Sequence, residues 1–461
     1  MATMPSGGVP SAGGNGAVPA AAEMPGETVG ILAGGGGLPL ILADAVRAAG
    51  RTVHIVAIEG HADRGIEAFP HHWVNLGRIG GMLASFRRAG CREIVIAGAM
   101  ERPNLRRLRI DAGFVRQLPT LLAMTRGGDD SVLRRVVGFF ESQGFRVRGA
   151  GELAPSLEAP LGPLGHHRPE GAALAAIARA EHVIRALGAF DLGQGVVATA
   201  DRVIAVEGVR GTDAMLADLG PGGCGAGLGR GAVLVKLAKP GQEMRIDLPA
   251  IGPVTIERAV AAGLAGVAVG AGNALVLDRH DVTRLADDAG VFVTGIASGG
   301  ARAAAPSPRA FMPATPLTLL SRHAPTPSDR RDLAVARRLL PILSAEAAGP
   351  AAVISGEHVL AVSGALPVEK LIGPLAARSR WGLWALRGRT GTLALDLAPG
   401  LAGGGVAPTS AALLGIELFR AAKEARLAGL ACFGAPIPEA VKADVVAWAN
   451  EARIFLMVEM P

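Results

Sequence analysis

Short apolar runs alternate with amphipathic helical segments along residues 28–152, and this alternation predicts an α/β fold. The runs typical of buried strands are Thr28–Leu32, Val53–Ile58, Glu93–Ala97 and Phe145–Arg148. Between them lie segments with a helical spacing of apolar residues, of which Leu38–Ala49 and Ile79–Ala89 are each followed by a glycine. Because repeated strand–helix units build parallel sheets, residues 28–158 are predicted to form a Rossmann-like domain.

Two further regions show the same alternation. Helix Ala172–Leu187 opens a series of predicted strands and helices that closes with Val291–Thr294, and a helix at Leu333–Leu343 opens another series. The segments before and between these regions lack apolar periodicity and are rich in Gly, Pro, Ala or Ser, which is typical of tails and linkers. The predicted organisation is a disordered tail at 1–27, α/β domains at 28–158, 171–296 and 331–461, and linkers at 159–170 and 297–330.

The third region repeats the apolar frame of the second. Val196–Met215 matches Ala352–Leu371 at a shift of 156 residues, and the later strands match at a shift of 163. The charged positions are not kept, and Lys236 is matched by Asp396. We therefore predict that residues 331–461 are a degenerate copy of the second domain that keeps its core and has lost its site. Chance similarity of two Ala- and Val-rich stretches is the alternative, and a different strand order in the two regions would favour it.

Composition excludes some classes of function. Half of the residues are hydrophobic and 19% are charged, so each domain can bury a core. Aromatic residues make up 3% of the chain, with no Tyr, which argues against a surface that stacks nucleic-acid bases. The net charge of +6 comes from scattered arginines, so no nucleic-acid partner is expected. This charge fits either a basic solvated surface or an anionic partner, such as a phosphate ester or an acidic membrane surface.

The cysteines and the apolar runs predict a cytoplasmic protein. Cys91, Cys224 and Cys432 are far apart and lack the spacing of metal ligands, which is typical of a reducing compartment. The first residues contain no apolar run of signal-peptide length. No uninterrupted apolar stretch reaches the roughly 20 residues that a membrane span needs.

A glycine-rich turn follows the first predicted strand. Gly34, Gly35 and Gly36 lie where backbone N–H groups between a strand and a helix can approach a phosphate. The spacing lacks the third glycine of the dinucleotide fingerprint, so a tight structural turn is the alternative. Asp129 precedes another predicted helix, where it would either cap the helix or face a ligand.

The strongest chemical signal is a group of polar side chains that follow strands of the second domain. Its members are Glu207, Thr212, Asp213, Lys236, Lys239, Gln242, Arg245, Asp247 and Thr255. Active sites of α/β sheets lie beyond the carboxyl ends of their strands. There, carboxylates can bind Mg²⁺ or orient an attacking water, and Lys or Arg can neutralise the charge of a pyrophosphate. A solvated loop held by salt bridges is the alternative.

In these motifs the chain resembles the LpxI family of UDP-2,3-diacylglucosamine pyrophosphatases of lipid A biosynthesis. Residues 28–296 carry the resemblance, through Gly30–Gly34, Gly128–Leu133, Ala205–Met215 and Val235–Thr255. The resemblance implies two α/β domains with the substrate between them. It also implies Mg²⁺-dependent hydrolysis of the pyrophosphate to UMP and 2,3-diacylglucosamine 1-phosphate, by attack of water on the phosphorus next to the sugar.

With this resemblance, three carboxylates are the predicted catalytic residues: Asp247, Asp213 and Glu207, of which Asp247 and Asp213 are also the predicted Mg²⁺ ligands. The residues predicted to bind substrate are Gly34, Gly35, Gly36, Asp129, Thr212, Lys236, Lys239, Gln242, Arg245 and Thr255. The expected partner is an acylated UDP-sugar, with room for peripheral contact with the inner membrane. A monomer and a homodimer both remain open.

Two other functions also remain open. An NAD-type oxidoreductase would rest on the first glycine turn alone. The other is a lipid-nucleotide binding or scaffold protein without turnover. Catalysis would then have been lost in the whole chain, as the charged residues of the site have been lost in the third region.

Overall fold

The computed structural model describes residues 27–100, 109–124, 129–220, 231–297, 315–365, 367–372, 389–398 and 413–459. The predicted tail lies outside these ranges except for Glu27, and so do residues 298–314 of the second predicted linker. For residues 119–124 and 129–131 the description is limited to the backbone.

The first domain is a parallel sheet with a buried core on each face. Its strands are β1 (Val29–Ala33), β2 (Val53–Ile58), β3 (His71–Val74), β4 (Glu93–Ala97) and β5 (Arg146–Arg148). Its helices are α1 (Leu38–Ala48), α2 (Ile79–Arg88), α3 (Ala112–Met124), α4 (Asp129–Ser142) and α5 (Ala150–Leu153). The strand order β3-β2-β1-β4-β5 is that of a Rossmann fold, which confirms the predicted Rossmann-like domain. Ligands bind such sheets where the order reverses, here between β1 and β4.

The central strand of this sheet is covered closely by α2. A Cβ atom on Gly30 would lie 2.7 Å from the ring of Phe86, so the glycine lets this aromatic ring lie directly on β1. Phe86 is fully buried and meets the ring of Phe145 edge-on, with 5.8 Å between their centroids. This packing fixes the strand whose end carries the glycine turn.

A buried ion-pair network lies at the opposite end of β4. Glu93 accepts hydrogen bonds from Arg51 (2.8 Å) and Arg148 (2.7 Å), and all three side chains are largely buried. Burial alone would raise the pKa of Glu93, but the two arginines lower it overall. The network therefore joins β4 and β5 to the turn that precedes β2.

We expect Glu93→Gln to lower the free energy of unfolding by about 3 kcal/mol, because two buried arginines lose their counter-charge. The stabilisation from the carboxylate is present above its ordinary pKa and is lost as pH falls through the lowered value in the folded protein. Urea unfolding at pH 7 and at pH 4 measures both effects. The matched control is Glu67→Gln, whose exposed pair with Arg64 should contribute less than about 1 kcal/mol. Equal losses in the two variants would contradict the structural role of Glu93.

The second domain is built on a six-stranded mixed sheet with the order β6-β13-β11-β9-β7-β8. Its strands are β6 (Gly162–Pro163), β7 (Gly195–Ala198), β8 (Val203–Val206), β9 (Val233–Lys236), β11 (Gly266–Gly270) and β13 (Phe292–Ile296), with β10 (Ala250–Ile251) and β12 (Leu275–Val276) paired separately. Its helices are α6 (Ala172–Leu187), α7 (Thr212–Leu219), α8 (Pro253–Ala261) and α9 (Arg279–Asp288). Strands β9, β11 and β13 run parallel to one another. Strand β6 pairs antiparallel with β13, and β7 pairs antiparallel with both β8 and β9.

The segment 159–170, predicted as a linker, packs against this sheet. Strand β6 pairs antiparallel with β13, and the Ala159 N–H donates to the Ala274 carbonyl (2.9 Å). Any side chain on Gly295 would collide with the carbonyl of Pro160, so the two backbones are in direct contact. The Pro and Gly residues that suggested a free connection shape an edge strand, a position where Pro is tolerated.

The third domain has a six-stranded sheet with the order β14-β19-β18-β17-β15-β16. Its strands are β14 (Leu317–Leu319), β15 (Ala351–Ser355), β16 (His358–Val362), β17 (Thr392–Asp396), β18 (Gly429–Phe433) and β19 (Phe455–Glu459), and its helices include α10 (Pro327–Ala345), α11 (Ile416–Glu424) and α12 (Glu439–Ala452). Position by position, this order and the strand directions equal those of the second sheet. Even the irregularity in β7 next to β8 recurs 156 residues later, between Val353 and Ile354. The two domains thus share one topology, as a copy requires.

The register corrects one match between the copies. Lys236 pairs with Gly195, and the residue that pairs with Ala351, the counterpart of Gly195, is Leu395. The charged residue Asp396 therefore stands one position later than the counterpart of Lys236. The match of Lys236 with Asp396 in the sequence is therefore wrong by one residue. Across the described ranges, no helix has the length and apolar character to cross a membrane.

Candidate active site

The predicted site residues of the second domain begin at one edge of its sheet, where β8 and β9 both end. Gly195, the first residue of β7, pairs with Lys236 at the end of β9. Glu207 follows β8, and its N–H donates to the Gly195 carbonyl (2.8 Å). Any side chain on Gly195 would collide with the Glu207 carboxylate. Glu207 and Lys236 therefore flank the same glycine at the edge where α/β sheets bind ligands.

Gln242 organises the loop that follows β9. Its Oε1 accepts the Lys239 N–H (2.7 Å), while its Nε2 lies 2.6 Å from both the carboxylate and the carbonyl of Asp247. The same Nε2 is 3.0 Å from Oε1 of Gln194, in the segment before β7. The side chain is almost fully buried, so these hydrogen bonds are shielded from water. Gln242 thus holds both the carboxylate and the backbone carbonyl of Asp247 in place.

Asp247 is a partly buried carboxylate with a raised pKa. Burial is the main cause, and the negative charge of Glu207 adds to it, while Lys239, the amide of Gln242 and Lys236 oppose the shift. Lys239 itself donates to the Asp191 carboxylate (2.5 Å), and Lys236 donates to the Ala250 carbonyl (3.2 Å). A carboxylate near a cluster of cations whose pKa is nevertheless raised is typical of a site prepared for chemistry.

Two buried oxygens at this edge have no hydrogen-bond partner in the part of the chain that the structure describes. Within the described ranges, Glu207 Oε2 and Thr212 Oγ1 make no hydrogen bond. Native structures rarely leave buried polar atoms unsatisfied, so such atoms point to a ligand or an ion. The described residues contain no group of three His, Cys, Asp or Glu side chains placed around one point. Because Mg²⁺ needs only one or two carboxylates and completes its shell with water and phosphate oxygens, Glu207 Oε2 is a candidate ligand for such a cation.

Asp213, which was predicted to share a metal with Asp247, is paired with a residue of another helix. It lies in the first turn of α7, more than half exposed, and its carboxylate is 3.3 Å from the guanidinium of Arg258 in α8. The carboxylate whose charge contributes to the raised pKa of Asp247 is that of Glu207. In this structure Glu207 is therefore the carboxylate that acts on Asp247.

Arg245 connects the loop to the first domain. Its guanidinium contacts both oxygens of Glu243 (2.8 and 2.9 Å) and donates to Glu141 of α4 (2.9 Å). These hydrogen bonds lower the pKa of Glu243. The neighbouring Ile246 packs into the core of the first domain, so this part of the loop is fixed across the domain boundary. Arg245 thus fixes the loop of the site at the boundary between the two domains.

The glycine turn after β1 is partly used by the fold. The Gly34 N–H donates to the Ala97 carbonyl (2.8 Å), and Gly35 and Ala99 exchange hydrogen bonds (2.7 and 2.9 Å). These two N–H groups are not available to a phosphate in this conformation. Gly36 differs, since its φ of 85° and the open space around it leave the backbone accessible at the switch point of the sheet.

The other two predicted residues are placed at helix starts. Thr255 is buried in the first turn of α8, where its hydroxyl accepts the Gly252 N–H (3.4 Å), so it contributes to the cap of this helix. Asp129 is the first residue of α4, and its side chain lies outside the described part of the chain.

Sequence reasoning missed two residues that touch the site. Asp191 pairs with Lys239 and has a left-handed backbone with φ of 56°, and Gln194 contacts Gln242. Both lie in the short segment between α6 and β7, which was treated as a connection. Two polar residues just before a fully apolar strand were the available signal, but without the register nothing showed that β7 starts where β9 ends.

Comparisons with known proteins agree with this architecture. The family model of the LpxI N-terminal domain matches residues 28–157, and that of the LpxI C-terminal domain matches residues 160–294. The chain is 42% identical over 271 residues to the UDP-2,3-diacylglucosamine pyrophosphatase LpxI of Caulobacter vibrioides (strain ATCC 19089 / CIP 103742 / CB 15). This similarity covers 97% of that relative and 58% of the present chain.

Proposed function

The chain belongs to the LpxI family, and we propose that it hydrolyses the pyrophosphate of UDP-2,3-diacylglucosamine to UMP and 2,3-diacylglucosamine 1-phosphate with the help of Mg²⁺. The observation that carries the proposal is the partly buried Asp247, which Gln242 holds by a hydrogen bond to its carboxylate and whose pKa is raised although two lysines lie near it. The arrangement at the boundary of the first two domains supplies both an acidic group and fixed positive charge, as hydrolysis of a phosphoric anhydride needs.

Each charged residue then has a role. Asp247 accepts a proton from the attacking water, with Gln242 holding its carboxylate. Lys236 and Lys239 stabilise the negative charge that develops on the pyrophosphate. The attack is on the phosphorus next to the sugar, so that UMP leaves.

The carboxylates also provide for the metal ion. Asp247 would hold Mg²⁺ together with Asp213, as the sequence predicts, or with Glu207 in place of Asp213, through the Oε2 that has no partner among the described residues. When bound, Mg²⁺ neutralises phosphate oxygens and orders water around them. Asp213 would have to exchange its exposed pair with Arg258 for this role, which costs little because surface ion pairs are weak.

The remaining predicted residues surround this centre. Thr212, Gln242, Arg245 and Thr255 would line the phosphate and sugar side, while Gly34, Gly35, Gly36 and Asp129 would face the nucleotide from the first domain. Of the three glycines, Gly36 is the one whose backbone is open to a ligand. The acyl chains of the substrate would need an apolar cleft, and we expect a cytoplasmic location with room for peripheral contact with the inner membrane.

A hydrolysis assay with product analysis tests the proposal. Incubation with UDP-2,3-diacylglucosamine and Mg²⁺ should release UMP and the sugar 1-phosphate in equal amounts, and a chelator should stop the reaction. Tight binding of the substrate without turnover would instead support a lipid-nucleotide binding protein. Binding of a nicotinamide cofactor, measured by fluorescence, would support the oxidoreductase alternative.

The metal assignment is tested through Glu207. If its free oxygen is a Mg²⁺ ligand, Glu207→Gln should raise the Mg²⁺ concentration for half-maximal thermal stabilisation by roughly tenfold, since one charged ligand is lost. Differential scanning calorimetry during a Mg²⁺ titration measures this without reference to activity. Glu257→Gln, at an exposed position of α8, is the matched control. An unchanged titration in Glu207→Gln would show that Glu207 does not hold the metal.

A further inference from the structure

The second and third domains meet through reciprocal backbone contacts. The edge strands β8 and β16 lie side by side, and the Val209 N–H donates to the Leu360 carbonyl (3.2 Å). At the shift of 156 residues, the counterpart of Val209 is Ala365 and the counterpart of Leu360 is Ile204. The Ala365 N–H donates to the Ile204 carbonyl (2.9 Å). Each copy therefore makes the same contact with the other.

The side chains repeat this reciprocity on the helices. His182 of α6 lies 3.0 Å from the Glu346 carboxylate, just after α10. Their counterparts at the same shift are Arg338 and Phe190, and the Arg338 guanidinium lies over the Phe190 ring, 5.9 Å from its centroid. The chemistry has changed from a hydrogen-bonded pair to a cation–π pair, but the two positions still meet.

The core between the domains is built from matching positions. One continuous apolar cluster joins α6 and β7 to α10 and β15, and its helix residues pair at the shift of 156: Ala180 with Ala336, Val183 with Leu339, Ile184 with Leu340 and Leu187 with Leu343. All eight of these residues are buried. The two helices thus bury the same face, each against the other copy as well as its own sheet.

A pair of glycines permits the close approach of the edge strands. A Cβ atom on Gly208 would lie 2.8 Å from the Leu360 carbonyl oxygen, and one on its counterpart Gly364 would collide with the Ile204 carbonyl. Both copies have a glycine at this position, although most polar positions of the third domain have changed. Contact between the copies therefore constrains both sequences.

We propose that the third domain takes the place of a second subunit, so that the chain is a monomer built like a two-fold dimer of catalytic domains. Reciprocal contacts, in which residue i meets j and the counterpart of j meets the counterpart of i, are the mark of an isologous interface between two copies of one surface. Here the second copy belongs to the same chain. The surface on α6 and β8 that would recruit another chain is covered from within.

The surface that the third domain covers includes the loop that carries two residues of the candidate site. Val209 lies between Glu207 and Thr212, so its hydrogen bond to Leu360 holds the loop that carries both residues. The third domain, without the charged residues of the site, thus positions the site of the second. This explains why a copy without those residues keeps its contact surface.

Cleavage of the connection tests the proposal on the full chain. A specific protease site is inserted between residues 298 and 314, and the mass is followed by sedimentation velocity before and after cleavage. The uncut chain should remain at 46.7 kDa over a hundredfold range of concentration, and the cut fragments should stay together as one-to-one pairs of the same total mass. A dimer of uncut chains, or fragments that separate into monomers at micromolar concentration, would overturn the proposal.

A glycine variant tests the interface itself. In the cut protein, Gly364→Ala should weaken association of the fragments roughly tenfold or more, because the methyl group pushes β16 away from β8. The control is Gly356→Ala in the β15–β16 turn, where the glycine has a similar φ of 61°, against 55° at Gly364, so both variants carry the same backbone strain. Equal association in the two cut variants would show that the β8–β16 contact does not hold the copies together.

Discussion

Replacement of Asp247 by Asn is expected to reduce turnover by roughly 10²–10⁴-fold, the range for loss of a general base, and at the same time to stabilise the fold at neutral pH. Turnover falls because Asn cannot accept a proton or bind a cation strongly. Stability rises because the charge of Asp247 is partly shielded from water and lies near that of Glu207, and Asn removes this charge while it can still accept the hydrogen bond from Gln242. Steady-state kinetics and thermal unfolding of the same preparation measure both effects.

The stabilisation expected for Asp247→Asn depends on pH, and its direction follows from the pKa of Asp247. Because the pKa of Asp247 is raised in the folded protein, its protonated form favours folding at low pH, and this contribution is lost as pH rises through the raised value. Above that value the ionised carboxylate is a cost, which Asp247→Asn abolishes. The difference in unfolding free energy between variant and parent should therefore grow as pH rises from 4 to 7.

The control for Asp247→Asn is Asp281→Asn, an exposed aspartate of α9 paired with Arg284. It should change neither turnover nor stability measurably. A variant Asp247→Asn that is inactive and also less stable would assign the residue to the fold alone. Full activity with raised stability would remove Asp247 from the mechanism and with it the main support for the proposed hydrolysis.

Much of the fold could be predicted because it rests on apolar periodicity. Strand Val53–Ile58 and helix Ala172–Leu187 have the predicted bounds, since the strand is a largely buried run and the helix has apolar residues at helical spacing, each limited by turn residues. Right-handed crossovers between parallel strands limit the topologies of the first domain, but the strand order itself comes from the structure. The segment 159–170 was predicted as a linker because its Pro and Gly residues give the same local signal in an edge strand and in a connection. Only the pairing partner, β13, distinguishes the two.

The site could be predicted only as a set of residues. Their common location follows from the rule that sites lie beyond strand ends, but their mutual distances depend on register and loop conformation. Asp213 and Asp247 were grouped as metal ligands through the family resemblance, yet in the structure Asp213 pairs with Arg258, and Glu207 is the carboxylate whose charge acts on Asp247. Gln242 had no distinctive signal for its role, because an amide that holds a loop looks like any surface amide in the sequence.

Replacement of Lys239 by Met is expected to lower turnover at neutral pH by about 10²-fold and to move the acid limb of the pH–rate profile to higher pH. The first effect is the loss of one fixed positive charge next to the developing negative charge of the pyrophosphate. The second follows because the charge of Lys239 lowers the pKa of Asp247, so that its removal leaves burial and Glu207 with less opposition. Asp247 would then take up its proton at a higher pH, and turnover would fall earlier as the solution is acidified.

Two companion variants separate the charge of Lys239 from its contacts. Lys239→Arg keeps a cation and should leave the acid limb close to that of the parent, even where the altered geometry lowers turnover. Lys442→Met removes a lysine paired with Glu439 in the third domain and should change neither turnover nor the profile. If Lys239→Met lost turnover without any shift of the acid limb, the ionisation of Asp247 would not control the rate. The lysine would then act on the substrate alone, and another of the site carboxylates would have to be the base.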